Sequence, residues 1–374
     1  MSNKPRVVIT DFIADDLAIE RRLLGDGVEI VALNAFREEE MAGRIDEAAA
    51  VMVYHNIRLS RMTIERLTQC KLIVRCGVGV DNIDLTCATQ RGIPVANVPD
   101  YGTEDVADTA IGMALSLVRG THLMNSTLRG VPSRQGGTAH GAPSRQGGAS
   151  VGGASVLGEP AGASRTQPQP PDANEWSYTL AAPVHRIRGR VFAVIGLGRI
   201  GTAAALRAKA LGFDVAFFDP YKADGCDKSL GIRRVEKLDD LLRQAFVLSL
   251  HTPLTPETKH MIDAAAIASL PRGSFMVNTS RGAVVDTSAI PDAIASGQLA
   301  GAGIDVLQHE PPGESDVLVK AWRDPSHPAH HRVIINPHSA FYSEEGLLDM
   351  RVKGSEACRR ALSGERIRNV VNGV

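Results

Sequence analysis

Arg281 in NTSRG, Glu310 in QHEPP and His338 in NPHSA place a guanidinium, a carboxylate and an imidazole late in the chain. Reduction of a 2-oxo acid calls for those three functions. A planar guanidinium fork can grip a carboxylate through two parallel hydrogen bonds. An imidazole titrates near neutrality, so it can protonate a developing alkoxide and act as the base in the reverse direction. A carboxylate beside that ring favours its protonated form and fixes its tautomer. Each residue type is common alone, and the set gains meaning from what stands upstream.

Upstream, VFAVIGLGRIGTAAALRAKALG sets Gly196, Gly198 and Gly201 as GxGxxG between an apolar strand and a helix. The following strand, VAFF, ends in Asp219, which completes a dinucleotide-binding fingerprint. Gly196 permits the tight turn, Gly198 lets the backbone approach a pyrophosphate, and Gly201 allows close packing of helix on strand. The helix N-terminus offers unpaired N–H groups and partial positive charge. Asp219 would accept from the adenosine ribose hydroxyls and repel a 2′-phosphate, which favours NAD (NADH) over NADP. Lys222 close by could blunt that repulsion. FAD uses the same fingerprint, usually at the start of a chain. Here an independent α/β unit precedes it, which favours NAD.

The groups must be positioned by more than one core, because 374 residues suggest two domains. Between Arg6 and about Gly102, the runs Val7 to Thr10, Glu29 to Leu33, Ala50 to Tyr54, Leu72 to Arg75 and Val95 to Asn97 read as short buried strands. Helix-like segments such as Ser60 to Thr68 separate them, so a parallel sheet covered on both faces is expected. Glu104 to about Leu128 reads as one long helix, its start marked by Thr103. The stretch 130–174 is rich in Gly, Ser, Pro, Ala and Gln, with VPSRQGG repeated as APSRQGG, and reads as a flexible surface insertion. From Arg190 the strand–helix alternation resumes through VFAVI, VAFFD, FVLSLH, SFMVN, GAGIDV and VIINP. A last helix over about Ser343 to Leu362 is expected to pack back on the first unit. The fold class is therefore α/β: two doubly wound parallel-sheet domains of Rossmann or flavodoxin-like type with an active-site cleft between them. Residues 1–102 and 337–374 would form a discontinuous substrate-binding domain, and 103–336 the NAD-binding domain.

Apolar content of 44% and charged content of 22% are ordinary for a globular protein, and a net charge of −1 gives no reason to expect nucleic acid or membrane as a partner. Cys70, Cys76, Cys87, Cys226 and Cys358 show no CxxC spacing and read as incidental thiols, with no metal site implied. KPRVVITDF reads as a first strand rather than a signal core, so a cytoplasmic location is expected.

RCGVGVDNID at 75–84, GLGRIGTAAALRAKALGF at 196–213, NTSRGAVVD at 278–286, GAGIDVLQHEPP at 301–312 and NPHSA at 336–340 together resemble the D-isomer-specific 2-hydroxyacid dehydrogenases. VMVYHNIRLS, LRAKALGFDVAFFDPYKADG and FYSEE are similar to the C-terminal-binding-protein-like branch. The resemblance implies an NAD-dependent dehydrogenase with Arg281, Glu310 and His338 as the catalytic set. It implies a carboxylate-binding loop at Gly77, Val78 and Gly79, whose glycine-flanked backbone N–H groups can bind an anion, with Arg75 adding charge. It implies cofactor contacts at Arg199, Ile200, His251, Thr252, Pro253, Thr258, Thr279 and Ser280, and at Asp305 toward the nicotinamide carboxamide. A homodimer is the family expectation. Phe341 stands where the branch carries Trp and leaves the substrate's side chain open. An NAD(H)-sensing, corepressor-like protein with vestigial catalysis is the alternative, and a phosphite or formate oxidoreductase ranks below both.

Overall fold

A computed structural model describes residues 4–129 and 177–374, so the expectations placed on 130–174 lie outside the described residues. Among the described residues, twelve short strands form two wholly parallel sheets. The first contains β1 (Arg6–Ile9), β2 (Glu29–Ala32), β3 (Ala50–Val53), β4 (Ile73–Arg75) and β5 (Val95–Asn97), in the order β2-β1-β3-β4-β5. The second contains β6 (Val191–Ile195), β7 (Asp214–Phe218), β8 (Arg233–Arg234), β9 (Val247–Leu250), β10 (Ser274–Asn278), β11 (Leu299–Ile304) and β12 (Val333–Ile335). Its order is β12-β11-β10-β9-β6-β7-β8.

Both sheets bury their two faces. Every residue of β3, β9 and β10 is buried, which is why these strands read as continuous apolar runs rather than as alternating patterns. Strand order reverses between β1 and β3 in the first sheet and between β6 and β9 in the second. Loops leaving the carboxyl ends of those strand pairs open a crevice at each reversal.

Two helices depart from the sequence expectation. The long helix after Gly102 is broken: Thr103–Val118 stops, Gly120 takes a left-handed φ of 67°, and Thr121–Arg129 begins. Gly120 can adopt that conformation without a Cβ penalty, and it ends the first helix. Thr103 is the first helical residue rather than its cap, and its buried hydroxyl has no partner. Within Ser60 to Thr68 only Arg61–Ile64 is α-helical. Helix Thr103–Val118 packs on the second sheet, where Gly301 and Gly303 of β11 leave room for it. A Cβ at those positions would lie 3.0 Å from Leu117 and from Met113.

The last helix, Glu344–Ser363, is capped by Ser343, whose hydroxyl accepts from the Gly346 amide at 2.8 Å, and it packs on β3 and on helix Ala18–Leu24. Beyond it the chain lies antiparallel to β5 through an Ala96–Val370 bridge. The helix is tied down by Arg351, 6% exposed, which donates to Glu20 at 2.7 and 2.6 Å and to Asp15 at 2.5 and 2.9 Å. Glu20 is fully buried, and that guanidinium is its ion-pair partner. No helix among the described residues is long and apolar enough to cross a membrane. Replacing Arg351 by Met should cost about 3–5 kcal/mol in urea unfolding, because it strands Glu20 as a buried unpaired charge. The double variant Arg351→Met with Glu20→Met should recover most of that loss.

Candidate active site

The nucleotide half of the site is built on the reversal between β6 and β9. Gly196 leaves β6 with a φ of 86°, and a Cβ there would sit 2.7 Å from the His251 carbonyl oxygen. A Cβ on Gly201 would overlap the Gly196 carbonyl, so neither position admits a side chain. Gly198 caps helix Arg199–Ala210 without a side-chain acceptor, so the first-turn amides of Arg199 and Ile200 face the loop. Asp219, after β7, accepts from the Leu197 amide at 2.8 Å and from the Tyr221 amide at 3.0 Å, and thereby pins the glycine turn. Around this loop, His251 Nδ1, Thr252 Oγ1 and Thr279 Oγ1 are buried with no partner. Buried polar atoms are normally satisfied, so three orphans beside a glycine-rich helix N-terminus fit a bound dinucleotide. Three other sequence candidates are already engaged. Thr258 Oγ1 donates to the Pro253 carbonyl at 2.7 Å and ties its own loop, and Ser280 Oγ donates to Asn278 at 2.8 Å. Asp305 is 1% exposed, and its Oδ1 accepts from the Ser339 and Ala340 amides at 2.9 and 3.0 Å. Burial raises the Asp305 carboxyl above its ordinary range despite those two bonds.

That use of Asp305 sets up the chemical group. His338 has a left-handed φ of 51°, a costly conformation for a residue with a Cβ, and its amide donates to the Asp305 carbonyl at 2.8 Å. Its Nδ1 lies 2.7 Å from Glu310 Oε2, while Glu310 Oε1 accepts from the Leu307 amide at 2.7 Å. The carboxylate is thus fixed from one side and orients the imidazole from the other. With Nδ1 committed, Nε2 is the ring atom free to exchange a proton with a ligand.

Arg281 follows β10 and reaches into the first sheet's loop. Its Nε and Nη2 donate to Asp81 Oδ1 at 3.2 and 3.1 Å, and its guanidinium lies over Gly79, where any Cβ would collide with it. Arg75, at the end of β4, lies over Gly77 in the same manner, with Nη1 donating to the Cys76 carbonyl at 2.7 Å. The two glycines therefore exist to let two guanidinium groups approach the backbone. Arg75 is 7% exposed, its Nε has no partner, and burial together with the charge of Arg281 lowers its pKa. Burial works to raise the Asp81 carboxyl, but Arg281 outweighs it and holds the group below its usual range. Neither the Val78 nor the Gly79 amide has an acceptor among the described residues. Two guanidinium groups and the Asp81 carboxylate around these amides leave net positive charge, an arrangement that can hold an anion.

Sequence reasoning gave no role to Asp81, which shares a motif with the glycines, and missed His55 entirely. His55 stacks on Phe341 with ring centroids 4.5 Å apart and planes 13° from parallel, and it meets His338 edge-on at 6.1 Å. The only signal for it was a histidine directly after an apolar strand run. Burial, reinforced by Arg75, His338 and Arg281, pushes the His55 pKa down to about 2, and burial alone takes His251 down to about 4. An unfolded histidine titrates near 6.5. Between about pH 6.5 and 4 the unfolded chain therefore binds more protons than the native one, and stability falls as the pH drops. Thermal melts between pH 7 and 5 should show that decline. His55→Gln should reduce its slope, by up to about 1.4 kcal/mol per pH unit.

Comparison with known proteins agrees with this geometry. The D-isomer specific 2-hydroxyacid dehydrogenase NAD binding domain matches residues 165–340. D-3-phosphoglycerate dehydrogenase of Methanocaldococcus jannaschii is 28% identical over 367 residues, which cover 98% of this chain and 59% of that protein. C-terminal-binding protein 1 of Caenorhabditis elegans is likewise 28% identical over 367 residues, covering 97% of this chain and 44% of that protein. The chain thus spans about half the length of these curated relatives. Their equal identity leaves the branch open and does not support the expected leaning toward C-terminal-binding proteins. The solved structure of D-lactate dehydrogenase from Aquifex aeolicus, complexed with NAD and lactic acid, aligns with a TM-score of 0.76 at 25% identity, covering 98% of this chain and 99% of that one. The nucleotide fingerprint thus lies in a segment, residues 165–340, that is similar to the NAD binding domain of the D-isomer specific 2-hydroxyacid dehydrogenases, and the two parallel sheets match the fold of their solved structures.

Proposed function

We propose that the protein interconverts a 2-oxo acid and a D-2-hydroxy acid with NAD(H), using His338 as the acid and base. The observation that carries this reading is the convergence of two chain segments on one cleft. The Glu310–His338 pair, joined at 2.7 Å, comes from the second sheet's loops, and the Gly77–Gly79 turn with its two guanidinium groups comes from the first. In this reading 1–102 and 337–374 form the substrate domain and 103–336 the nucleotide domain. Asp219, with both oxygens directed at the glycine turn and the loop after it, favours NAD over NADP.

A nicotinamide dinucleotide held at the Gly196–Gly201 turn, Thr252 and Thr279 would supply or accept the hydride, and the chain's own residues do the rest. The substrate carboxylate lies against the Val78 and Gly79 amides between Arg75 and Arg281. Arg281 also polarises the 2-oxo group, since its fork can serve two oxygens. His338 Nε2 delivers a proton to the oxygen as negative charge develops on it. Glu310, on the other ring nitrogen, stabilises the positive charge that His338 carries before that transfer. Asp81 pairs with Arg281, so it sets the direction of the guanidinium before the substrate arrives.

A second reading rests on the likeness to C-terminal-binding protein 1: an NAD(H)-responsive interaction protein with weak catalysis. A panel of 2-oxo acids followed by NADH absorbance separates the two, because tight NADH binding without turnover of any acid favours the second. His338→Ala should lower turnover by about 10²–10⁴-fold while NADH fluorescence titrations still report binding. Unchanged turnover would remove His338 from the mechanism. Arg281→Lys should raise the KM for the acid by at least tenfold, because a point charge does not reproduce a planar fork. A wild-type KM in that variant would count against carboxylate binding there.

A further inference from the structure

In the described loops of the second sheet, His338 and His260 are the only residues other than glycine with a left-handed φ. The first is the proton donor of the proposed reaction, and the second has no role so far. His260 has a φ of 51° and ends a tight turn over residues 255–259, in which the Thr258 and Lys259 amides donate to the Thr255 carbonyl or its hydroxyl neighbours. Glycine is the ordinary residue at such an exit, because a left-handed backbone crowds a Cβ. Strain held at that position points to a use for the side chain.

The ring reaches the loop that carries Glu310. His260 Nε2 lies 3.0 Å from Gln308 Oε1, a carbonyl oxygen, so the ring donates, while the His260 amide donates to the Ala283 carbonyl at 2.8 Å. The chain then runs parallel to the segment after Arg281 through a bridge between Ile262 and Val285. His260 thus grips the residues following Arg281 with its backbone and those preceding Glu310 with its ring. The two gripped segments touch at Gly282, where a Cβ would overlap the Leu307 carbonyl and the Gln308 amide nitrogen.

Little else holds the Glu310 loop. Gln308, His309, Glu310 and Pro311 are all exposed, and among the described residues no backbone-to-backbone hydrogen bond involves residues 308–312. Three side-chain bonds remain: His260 to Gln308, the Leu307 amide to Glu310 Oε1 at 2.7 Å, and Glu310 Oε2 to His338 Nδ1 at 2.7 Å. Apart from His338 itself, His260 is the one hydrogen-bonding anchor from outside the loop among the described residues. Resting on the dehydrogenase reading, we propose that His260 is a positioning residue for the proton donor. Through Gln308 it holds the loop against the segment after Arg281, in the placement that brings Glu310 to His338.

The consequence has a sign. A carboxylate at Nδ1 favours the protonated imidazole, and reduction of a 2-oxo acid uses that protonated form. With Glu310 in place, reduction therefore persists to higher pH. When the loop drifts, it fails at lower pH.

The test is the pH profile of kcat/KM for reduction by NADH of pyruvate, 4-methyl-2-oxopentanoate, phenylpyruvate and oxaloacetate, in the wild type, His260→Gly and Gln308→Leu. Glycine adopts the left-handed backbone freely, so His260→Gly removes the ring, keeps the turn and should melt no lower than the wild type. Gln308→Leu leaves His260 in place, so a shift common to both variants is not the titration of His260. Both should move the alkaline limb down by at least about half a pH unit, with kcat/KM about 3–10-fold lower at pH 8 and within about twofold at pH 6. Fluorescence titrations should return the wild-type affinity for NADH. The double variant should shift the limb no further than either single one, because both remove the same bond. Neither change should shift it in a Glu310→Gln background, which lacks the carboxylate to be positioned. An alkaline limb that stays put in both variants overturns the proposal, and so does a shift that persists with Glu310→Gln. Weaker NADH binding with an unmoved limb also overturns it, and assigns the bond to the nucleotide loop. Reduction of none of the acids by the wild type removes the dehydrogenase reading and this role with it, whereas reduction with an unmoved limb removes the role alone.

Discussion

Arg75 is a buried guanidinium with no carboxylate of its own, and much of the cleft's geometry answers to that fact. Its Nη1 rests on the Cys76 carbonyl, its Nε is unpartnered, and it crosses Gly77 so closely that no other residue fits there. A buried unpaired charge is expensive, and the neighbouring charges add to the cost: Arg281 faces it across the same turn, and burial among these cations holds His55 neutral. An anion lying between the two arginines would offset that charge. Gly77 and Gly79 follow from it, as does the placement of Asp81, which gives Arg281 a partner and leaves Arg75 without one.

A second device recurs wherever a loop must hold a functional group. At three strand ends an aspartate turns its carboxylate back onto the amides of a following or neighbouring turn. Asp11 clamps the Tyr54–Asn56 segment that carries His55, Asp219 pins the glycine turn at Leu197, and Asp305 holds Ser339 and Ala340 and thereby the left-handed His338. Charge-assisted bonds to backbone amides are strong and directional. They let short irregular loops present side chains with the definition expected of helices and strands.

The strand runs were legible in the sequence because parallel strands buried on both faces are continuous apolar segments between polar ones. The nucleotide turn was legible because only glycine fits positions 196 and 201, so the requirement is written in residue type. The break at Gly120 was missed because an apolar helical period continues through it, and a single left-handed glycine leaves that period nearly intact. Asp305 was expected to face the cofactor, and its engagement with Ser339 and Ala340 depends on a contact across more than thirty residues that no local pattern announces. His55 was invisible for the same reason. Its clamp, Asp11, is 43 residues from Tyr54, and its stacking partner Phe341 lies near the other end of the chain.

The central claim is that the Arg75 charge is kept for a bound carboxylate and is not a structural contact. Thermal melting of the NADH-loaded protein with and without oxamate, a non-reducible mimic of a 2-oxo acid, tests it in the wild type and in Arg75→Met. If the charge serves the ligand, Arg75→Met melts at or above the wild-type temperature without oxamate, because an uncompensated buried charge has been removed, and it loses the rise that oxamate gives the wild type. An Arg75→Met protein that melts several degrees lower on its own, yet keeps the full oxamate-induced rise, would contradict the claim.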